Sequence, residues 1–332
     1  KDENPFETFR EWYTKDYQSF LDYNIMDVEL VDRIDDKMKL LDLILTMTYE
    51  AKVNISDSFT SVKYWDVLIY NHLLKKKIVI PQKASQIHKS DKYIGAYVKD
   101  PQVGQHKWVM SFDLNSLYPH LIMQYNISPE TLLPKTMGFD KEKSVNEMLN
   151  KQHDLTPLKP ASVTCTPNGA LFRTKTQGFL PEMMQDMYDD RTIYKKKMLD
   201  AKQKYEDTKD PKYANDVSRY HNIQMARKIS LNSAYGAIGN EWFRYYDLRI
   251  AEGITTSGQF SIRWIEKSIN MYLNKLLKTD GEDYVIASDT DSVYITFDKL
   301  VNTVLKTKEG ESEDSYRGRA VDFLDTVAKE KL

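Results

Sequence analysis

The chain has 332 residues, of which 41% are apolar and 29% charged, a composition typical of a globular protein with a sizeable core in two domains or in one large discontinuous domain. No apolar run reaches the roughly 18 residues that a membrane span needs, which argues against an integral membrane protein. Cys165 is the only cysteine, which excludes an intrachain disulfide and favours a reducing compartment, and the net charge of −2 by itself argues against a protein coated with nucleic acid.

In chain order, the hydrophobic pattern predicts a helical region, a connection, strands, a long helical hairpin and a final pair of strands. These segments are 5–50 and 59–77 (helical), 78–92 (connection), 96–98 and 107–113 (strands), a short helix from Ser116, a poorly periodic region to 160, 163–165 and 171–172 (strands), 181–237 (helical hairpin), 250–277 (helix), 283–287 and 293–297 (strands) and a helix from Val321. An Asn-Gly pair at 168–169 predicts a β-hairpin turn, and the run 207–211 predicts the turn between the two long helices. The last helix reaches Leu332 without a stop signal and Lys1 is not a methionine, so we expect a piece of a longer polypeptide.

Aspartates stand at the ends of three predicted strands. Asp289 and Asp291 lie on the tight connection between the last two strands, where a single aspartate is explained by capping of the turn. Asp113 ends an apolar strand, where it could cap the helix that follows. Strand-end carboxylates from distant parts of a chain also assemble sites for two Mg²⁺ ions, which stabilise the attacking and leaving oxygens of a phosphoryl transfer. Both the capping and the metal-binding interpretation remain open.

The predicted helical hairpin is strongly basic. From Arg191 to Lys228 its net charge is +6, against −8 for the rest of the chain. The midpoint of these two residues falls at the predicted turn near 209–210, so they lie at one level, about 27 Å from the tip, with Lys195 one helical turn from Arg191. The residues that share one face of the second helix are Lys228, Asn232 and Tyr235. This geometry fits a polyphosphate site, and it fits equally an ordinary charged pair of surface helices.

Three motifs, in the expected order, together resemble those of family B DNA polymerases. Residues 113–119 are similar to the first palm motif, Asp-x-x-Ser-Leu-Tyr-Pro. Residues 228–236 resemble the fingers motif, Lys-x3-Asn-Ser-x-Tyr-Gly, and residues 289–292 resemble the Asp-Thr-Asp hairpin. The segments that look like the replicative polymerases of T-even-type bacteriophages are 126–131, 166–169 and 242–249.

Two further segments resemble the part of such polymerases that precedes the palm. Residues 93–96 are similar to the segment that joins the exonuclease and the palm. Tyr23 and Asp27 match the Tyr-x3-Asp of the third exonuclease motif, whereas the first two exonuclease motifs are not found. We therefore expect an incomplete exonuclease domain that lacks proofreading.

The resemblance implies an α+β fold, with a ferredoxin-like palm of antiparallel or mixed sheet and a helical-hairpin fingers subdomain, preceded by a helical remnant of an exonuclease domain. The expected boundaries are 1–80 for the exonuclease remnant, 81–180 for the first part of the palm, 181–238 for the fingers and 239–332 for the second part of the palm, without a thumb.

The resemblance also implies a role for individual residues. Asp113 and Asp291 would be the principal ligands of two Mg²⁺ ions, for which Mn²⁺ can substitute, with the Leu114 carbonyl as a further ligand and Asp289 nearby. Arg191, Lys195 and Lys228 would bind the triphosphate of the incoming nucleotide, assisted by Asn232. The residues expected to surround the rest of the nucleotide are Ser116 and Leu117 (phosphates), Tyr118 (under the deoxyribose, excluding a 2′-hydroxyl) and Tyr235 (beside the nascent base pair).

The implied activity is template-directed DNA synthesis in viral DNA replication, in the cytoplasm of an infected bacterium. The expected partners are primer-template DNA and dNTPs. A sliding clamp and replisome proteins are expected to bind through parts of the longer polypeptide that this chain lacks, and no association with a membrane is expected. Two alternatives stay open: another two-metal phosphoryl-transfer enzyme such as a nuclease, and a non-enzymatic nucleic-acid-binding module. Whether the piece is active alone is also open.

The sequence departs from the family pattern at two places beside the motifs. Ala287 and Ser288 precede Asp289, where the family often has Tyr-Gly, and His120 follows Pro119, where serine is usual. The predicted helical hairpin also looks shorter than that of the T-even enzymes.

Overall fold

A computed structural model describes residues 5–83, 93–140 and 142–330, which form helices and two antiparallel sheets. In chain order the elements are α1 (Phe9–Lys15), α2 (Tyr17–Met38), α3 (Leu40–Ala51), α4 (Ile55–Ser58), α5 (Ser61–Lys75), β1 (Val98–Lys99), β2 (Val109–Asp113), α6 (Leu117–Tyr125), β3 (Leu132–Thr136), α7 (Ser144–Leu149), a 3₁₀ helix (Thr156–Leu158), β4 (Val163–Cys165), β5 (Ala170–Arg173), α8 (Phe179–Thr208), α9 (Pro211–Ile238), α10 (Leu248–Leu277), β6 (Val285–Asp289), β7 (Ser292–Thr296), α11 (Asp298–Val304) and α12 (Glu313–Glu330). Most of the predicted connection, residues 84–92, lies outside the described residues, as do Lys1 and Leu332.

The chain divides into two compact units. The first contains the residues up to Leu68 together with Asp189–Ser230, and the second contains Ile69–Tyr188 together with the residues from Leu231 onward. In the sequence, the boundaries of the two units fall within α5, α8 and α9. None of the helices in the described part of the chain is long and apolar enough to cross a lipid bilayer.

In the first unit, the N-terminal helices pack against the two arms of the long hairpin. The Tyr64 hydroxyl lies 2.7 Å from the Ser230 hydroxyl in a buried contact. Arg227 on α9 pairs with Glu50 on α3 at 3.0 Å and with Asp190 on α8 at 3.2 Å. Burial raises the pKa of Glu50 despite the nearby guanidinium. The predicted helical hairpin is confirmed, since α8 and α9 are separated only by residues 209–210.

The second unit is built on a four-stranded antiparallel sheet in the order β1-β6-β7-β2. Its central strand β7 alternates in burial, with Val293 and Ile295 facing the core and Tyr294 exposed, as expected for a sheet with one covered face. Those two side chains join a buried cluster to which α10, α11 and α12 also contribute. The predicted α+β fold with a small antiparallel sheet is therefore confirmed.

A three-stranded antiparallel sheet, in the order β3-β5-β4, contains the predicted Asn-Gly turn. Gly169 has a φ of +82°, which is why glycine suits the turn. The Asn168 side-chain amide donates to the carbonyl of Arg249 at 2.9 Å, and Asp247 caps α10 by accepting from the Arg249 N–H, also at 2.9 Å. This turn therefore anchors the start of α10.

The start of α8 is held by the segment that follows α6. The Asn126 side chain accepts from the Gly178 N–H at 2.9 Å, and the Glu130 carboxylate accepts from the Phe179 N–H at 2.6 Å. The Ser128 hydroxyl donates to Glu130 at 2.6 Å. These groups satisfy N–H donors that the first turn of a helix leaves without an intrahelical acceptor.

Several elements differ from expectation. The region described as poorly periodic contains β3, α7 and a 3₁₀ helix, and α11 was not predicted. Each of them is short, and β3 is stabilised by pairing with β5, more than thirty residues away, so local periodicity carries little signal for it. The strand expected at 96–98 is the two-residue β1, which begins at Val98.

The close approach of the α8 start to Ser128 makes Gly178 sensitive to substitution. A Cβ at position 178 would lie 2.5 Å from the Ser128 Cβ, whereas one at Gly318, on α12, would meet nothing within 4 Å. We expect Gly178→Ala to lower the free energy of unfolding by about 1–3 kcal/mol, as overpacking does. Gly318→Ala, the matched control, is expected to be neutral or stabilising. Urea unfolding followed by circular dichroism measures both; equal effects would contradict the packing argument.

Candidate active site

Three aspartates meet at one end of the four-stranded sheet because β7 pairs with a strand on each side. In the register of the sheet, Ser292 at the start of β7 stands opposite Asp289 of β6 and also opposite Asp113 of β2. Asp291 directly precedes Ser292, and its backbone carbonyl accepts from the Leu114 N–H at 2.7 Å. The strand ends that carry these side chains come from parts of the sequence more than 170 residues apart.

The turn between β6 and β7 is tight and has a left-handed residue at its tip. Thr290 has a φ of +53°, and its N–H donates to the carbonyl of Tyr97 at 3.0 Å. The Asp291 N–H donates to the Asp289 carbonyl at 2.6 Å, and the Thr290 hydroxyl donates to the Asp289 carboxylate at 2.9 Å. The Asp289 carboxylate thus contacts the side chain of the residue at the turn tip, and the turn holds the backbone of both aspartates at the sheet end.

The pKa of Asp291 is raised above its ordinary value. The main cause is burial, and the negative charges of Asp113 and Asp289 add to it, whereas a backbone hydrogen bond acts in the opposite direction. Ionising Asp291 therefore places a third negative charge beside two others in a partly desolvated position. A cation bound there would remove this penalty.

The donor set at the sheet end suits a hard divalent cation that keeps much of its coordination free. Among the described residues, no group of three or more His, Cys, Asp or Glu side chains is arranged to hold a metal ion by itself. Asp113 and Asp291 repel each other electrostatically, and Mg²⁺ characteristically uses one or two carboxylates and completes its shell with water and substrate phosphates. The residues therefore fit Mg²⁺ bound together with a phosphate-bearing substrate.

Tyr118 lies beside this carboxylate group, on the first turn of α6. Ser116 precedes the helix with a φ of +54°, so the chain turns sharply after β2. The pKa of Tyr118 is raised, first by burial and then by the negative charge of Asp291. His120 Nδ1 lies 3.0 Å from the Ser116 carbonyl, and its ring packs against Tyr188 with centroids 4.6 Å apart. The histidine that departs from the family pattern thus joins α6 to the start of α8.

The second ring at this site belongs to Tyr235 on α9. Its centroid is 4.9 Å from that of Tyr118, with the two planes at 60°. Its hydroxyl donates to the hydroxyl of Tyr93 at 3.0 Å, and its pKa is raised, mainly by burial and then by this contact. Asn232, one turn earlier on α9, is exposed. Tyr118 and Tyr235 are therefore brought together although 117 positions separate them in the sequence.

The cationic candidates Arg191, Lys195 and Lys228 lie in the first unit, on the arms of the hairpin. The ion pair between Arg227 and Asp190 joins the two arms, and Arg191 and Lys228 each lie one residue from it, so their levels along the hairpin differ by about 3 Å. Lys195 and Lys228 are exposed, whereas Arg191 is half-buried. The hairpin therefore presents two ammonium groups to solvent close to the level at which its arms pair.

Tyr23 and Asp27, the candidates for an exonuclease remnant, are one turn apart on α2 in the first unit. The Tyr23 ring packs against Trp12, with centroids 4.8 Å apart, and lies 6.1 Å from the Phe9 ring. Tyr23 is thus part of an aromatic cluster that joins α1 to α2. This packing is a structural role that spacing alone did not indicate.

Two residues of the site were not predicted. Tyr93 was noted only as part of a motif, yet its hydroxyl holds Tyr235. Gly258 lies within α10, where a Cβ would come 2.9 Å from Cε1 of Tyr118. A glycine inside a long helix costs about 1 kcal/mol relative to alanine, so its position was a signal that a close approach requires it.

Comparison with known proteins gives one family. A sequence model of DNA polymerase family B matches residues 60–309. The chain is 36% identical to the "DNA-directed DNA polymerase" of Escherichia phage RB69 over 100% of this chain and 39% of that protein. It is 35% identical to the protein of the same name from Enterobacteria phage T4, over 95% of this chain and 38% of that protein. The chain thus spans about two fifths of the length of these relatives.

A solved structure gives the same fold. The family B DNA polymerase of the archaeon Pyrobaculum calidifontis matches with a TM-score of 0.56 and 20% sequence identity, over 96% of this chain and 45% of that one. At this identity the match concerns the fold alone.

The repulsion at the sheet end predicts how stability responds to Asp291→Asn. Because the pKa of Asp291 is raised, its contribution to stability is complete below the ordinary carboxyl pKa of about 4 and is lost as pH rises through the raised value. Without divalent cations, we expect Asp291→Asn to raise Tm by a few degrees at pH 7–8 and to have no effect near pH 3–4.

The same variant tests cation binding. Mg²⁺ or Mn²⁺ is expected to raise the Tm of the unsubstituted chain and to raise that of Asp291→Asn much less. Asp280→Asn, at an exposed position before β6, is the matched control and should behave as the unsubstituted chain. An equal gain with metal in all three proteins would contradict a cation site at Asp291.

Proposed function

The chain belongs to DNA polymerase family B, and we propose that it carries the polymerase active site of a replicative enzyme, which transfers a deoxynucleotide from a dNTP to a primer 3′-hydroxyl under the direction of a template and releases pyrophosphate. The observation that supports this most is the meeting of Asp113, Asp289 and Asp291 at one end of a sheet, beside the paired rings of Tyr118 and Tyr235. A nuclease would need the carboxylates, but it would leave the two tyrosine rings beside them without a role.

In this proposal, Asp113 and Asp291 hold two Mg²⁺ ions, with the Leu114 carbonyl as a further ligand and Mn²⁺ as a possible substitute. When bound, the ions activate the primer hydroxyl and stabilise the charge that develops on the leaving phosphate. The protein keeps the two carboxylates close although they repel each other, which prepares the site for cations. Asp289 orients the turn through its contact with Thr290.

The triphosphate of the incoming dNTP is assigned to Arg191, Lys195 and Lys228, with help from Asn232. Guanidinium and ammonium groups bind phosphate oxygens through charge-assisted hydrogen bonds. The first turn of α6, at Ser116 and Leu117, offers backbone N–H donors of the kind that bind phosphate at helix N-termini.

Tyr118 and Tyr235 are assigned to the sugar and the base pair. A ring held against C2′ of a deoxyribose leaves no room for a 2′-hydroxyl, so Tyr118 would exclude ribonucleotides by steric contact. Tyr235, next to Gly236, would lie beside the nascent base pair. Both assignments are supported by the contact between the two rings and by the place of Tyr118 beside Asp291.

We further propose the division into an exonuclease remnant (1–80), palm (81–180 and 239–332) and fingers (181–238). In a longer polypeptide, of the length of the phage relatives, Tyr23 and Asp27 would belong to a proofreading exonuclease. Its setting would be phage DNA replication in an infected bacterial cell, with primer-template DNA as substrate and a sliding clamp and replisome proteins as partners.

The proposal predicts that the carboxylates are essential for extension but not for DNA binding. Primer extension with Mg²⁺ and dNTPs is measured for the 332-residue chain and for the longer polypeptide in parallel. Asp113→Ala and Asp291→Ala are each expected to lower the rate by at least about 1000-fold, since they remove groups that act on the transition state, with DNA affinity changed little. Extension at the normal rate by either variant would reject the metal assignment; cleavage of DNA without extension would favour a nuclease.

The basic hairpin provides a second prediction. Arg191→Ala and Lys228→Ala are expected to lower kcat/KM for dNTP by about 100-fold, which corresponds to the loss of one charge-assisted contact to phosphate. Lys209→Ala, at the hairpin turn, is the matched control and should change kcat/KM less than about threefold. Similar effects at all three positions would mean that the hairpin attracts nucleic acid by its overall charge, as the non-enzymatic alternative requires.

A further inference from the structure

Gly258 is placed where the backbone of α10 touches the ring of Tyr118. A Cβ at this position would lie 2.9 Å from Cε1 and 3.7 Å from Cδ1 of Tyr118. Carbon atoms in ordinary contact are about 3.5–4.0 Å apart, so any other residue would push the ring away by at least about 0.6 Å. Gly258 lies in the buried half of α10, between Ser257 and Gln259 in regular helix. A need for backbone flexibility therefore does not explain why this residue is a glycine.

The Tyr118 ring also meets Tyr235, which is itself held. The two centroids are 4.9 Å apart, and the Tyr235 hydroxyl donates to that of Tyr93 at 3.0 Å. Tyr93 in turn lies over Gly239, where a Cβ would come 2.5 Å from its hydroxyl oxygen. The Tyr118 ring therefore contacts both the backbone of α10 and an aromatic partner that is held by a hydrogen bond.

The other glycine of α10 serves a different contact. A Cβ at Gly253 would meet the Thr166 hydroxyl at 3.1 Å and the Asn168 side chain at 3.4 Å, in the turn that anchors the start of the helix. Gly258 is thus the α10 glycine whose neighbour is Tyr118, the residue assigned to the sugar. Its effect on the site should be separable from the packing of the helix as a whole.

From these contacts we infer that Gly258 is a specificity-determining positioning residue: it sets the position of the Tyr118 ring and thereby the discrimination between deoxyribonucleotides and ribonucleotides. The inference rests on the proposed role of Tyr118 at the sugar. Gly258 touches no reacting atom and acts only through the ring. A ring that excludes a 2′-hydroxyl by steric contact has to block a single oxygen atom. A displacement of the ring by well under 1 Å therefore changes whether it fills the space against C2′.

The test compares Gly258→Ala with the unsubstituted protein for dNTP and rNTP incorporation, on the 332-residue chain and on the longer polypeptide. We expect the ratio of kcat/KM for dNTP to that for rNTP to fall by about tenfold, with the dNTP KM rising more than kcat falls. Gly318→Ala, an open position on α12, is the matched control and should leave the ratio unchanged. A ratio within about twofold of the unsubstituted protein would overturn the inference.

A double-substitution cycle separates positioning from general damage to the fold. In a Tyr118→Ala background there is no ring to displace, so adding Gly258→Ala should leave the dNTP/rNTP ratio of that background unchanged. The same tenfold fall in both backgrounds would show a structural effect that does not pass through Tyr118, and it would overturn the inference.

A readout that needs no catalysis distinguishes failure of this inference from failure of the proposed function. In protein labelled with 3-fluorotyrosine, the ¹⁹F resonance of Tyr118 is assigned as the one lost in Tyr118→Phe. Gly258→Ala should shift it, and Gly318→Ala should not; an unmoved resonance overturns the inference even if the enzyme is active. Absence of both primer extension and any dNTP effect on Tm in the longer polypeptide rejects the proposed function, whatever the spectrum shows.

Discussion

The pairing of β7 with β6 on one side and β2 on the other is the constraint on which the candidate site depends. It brings Asp289 and Asp113 to the two sides of Ser292, with Asp291 at the turn. The carboxylates repel one another, as the raised pKa of Asp291 indicates, so this arrangement opposes folding when no cation is bound. What holds it is the apolar side of the same strands, where Val293 and Ile295 are buried among residues of α10, α11 and α12. The burial of apolar surface thus offsets the electrostatic repulsion between the carboxylates, which a bound metal ion would relieve.

The segments that made the sequence resemble phage polymerases most closely are supports for helices. Asn126, Ser128 and Glu130 satisfy the N–H groups at the start of α8. Asn168 holds the start of α10 through the Arg249 carbonyl. Both helices contribute to the surroundings of Tyr118: α10 through Gly258, and α8 through Tyr188, which packs on His120 of the same turn of chain. Residues that perform no chemistry therefore fix the helices against which the proposed nucleotide site is built.

The sequence was sufficient for features with a local cause. The Asn-Gly turn, the helical hairpin with its turn near 209–210, and the strands on either side of the Asp-Thr-Asp segment are encoded by periodicity and turn residues within a few positions. It was insufficient for β3, α7 and α11, which are short and depend on partners distant in the chain. At the site, the order of the motifs identified four candidate residues, which are Asp113, Asp291, Tyr118 and Tyr235. It did not identify the groups that hold these side chains in position. The contact of Tyr235 with Tyr93 spans 142 positions and that of Tyr118 with Gly258 spans 140, and no local pattern encodes either.

Gly258 lowers the stability of α10, because glycine has a low helix propensity and buries no side chain of its own. An alanine there would improve the helix and worsen the fit of Tyr118. The gain in helix propensity would be about 1 kcal/mol, whereas overpacking against the ring costs about 1–3 kcal/mol, so the glycine is explained by the close approach of the ring. Contacts with the backbone at Gly258 and with the anchored ring of Tyr235 limit how far the ring can move. A gate that must reject one hydroxyl group needs this degree of confinement, because a ring free to tilt would admit the larger sugar whenever it moved. The proposed selectivity for deoxyribonucleotides over ribonucleotides therefore depends on the packing between α6, α9 and α10 as well as on Tyr118.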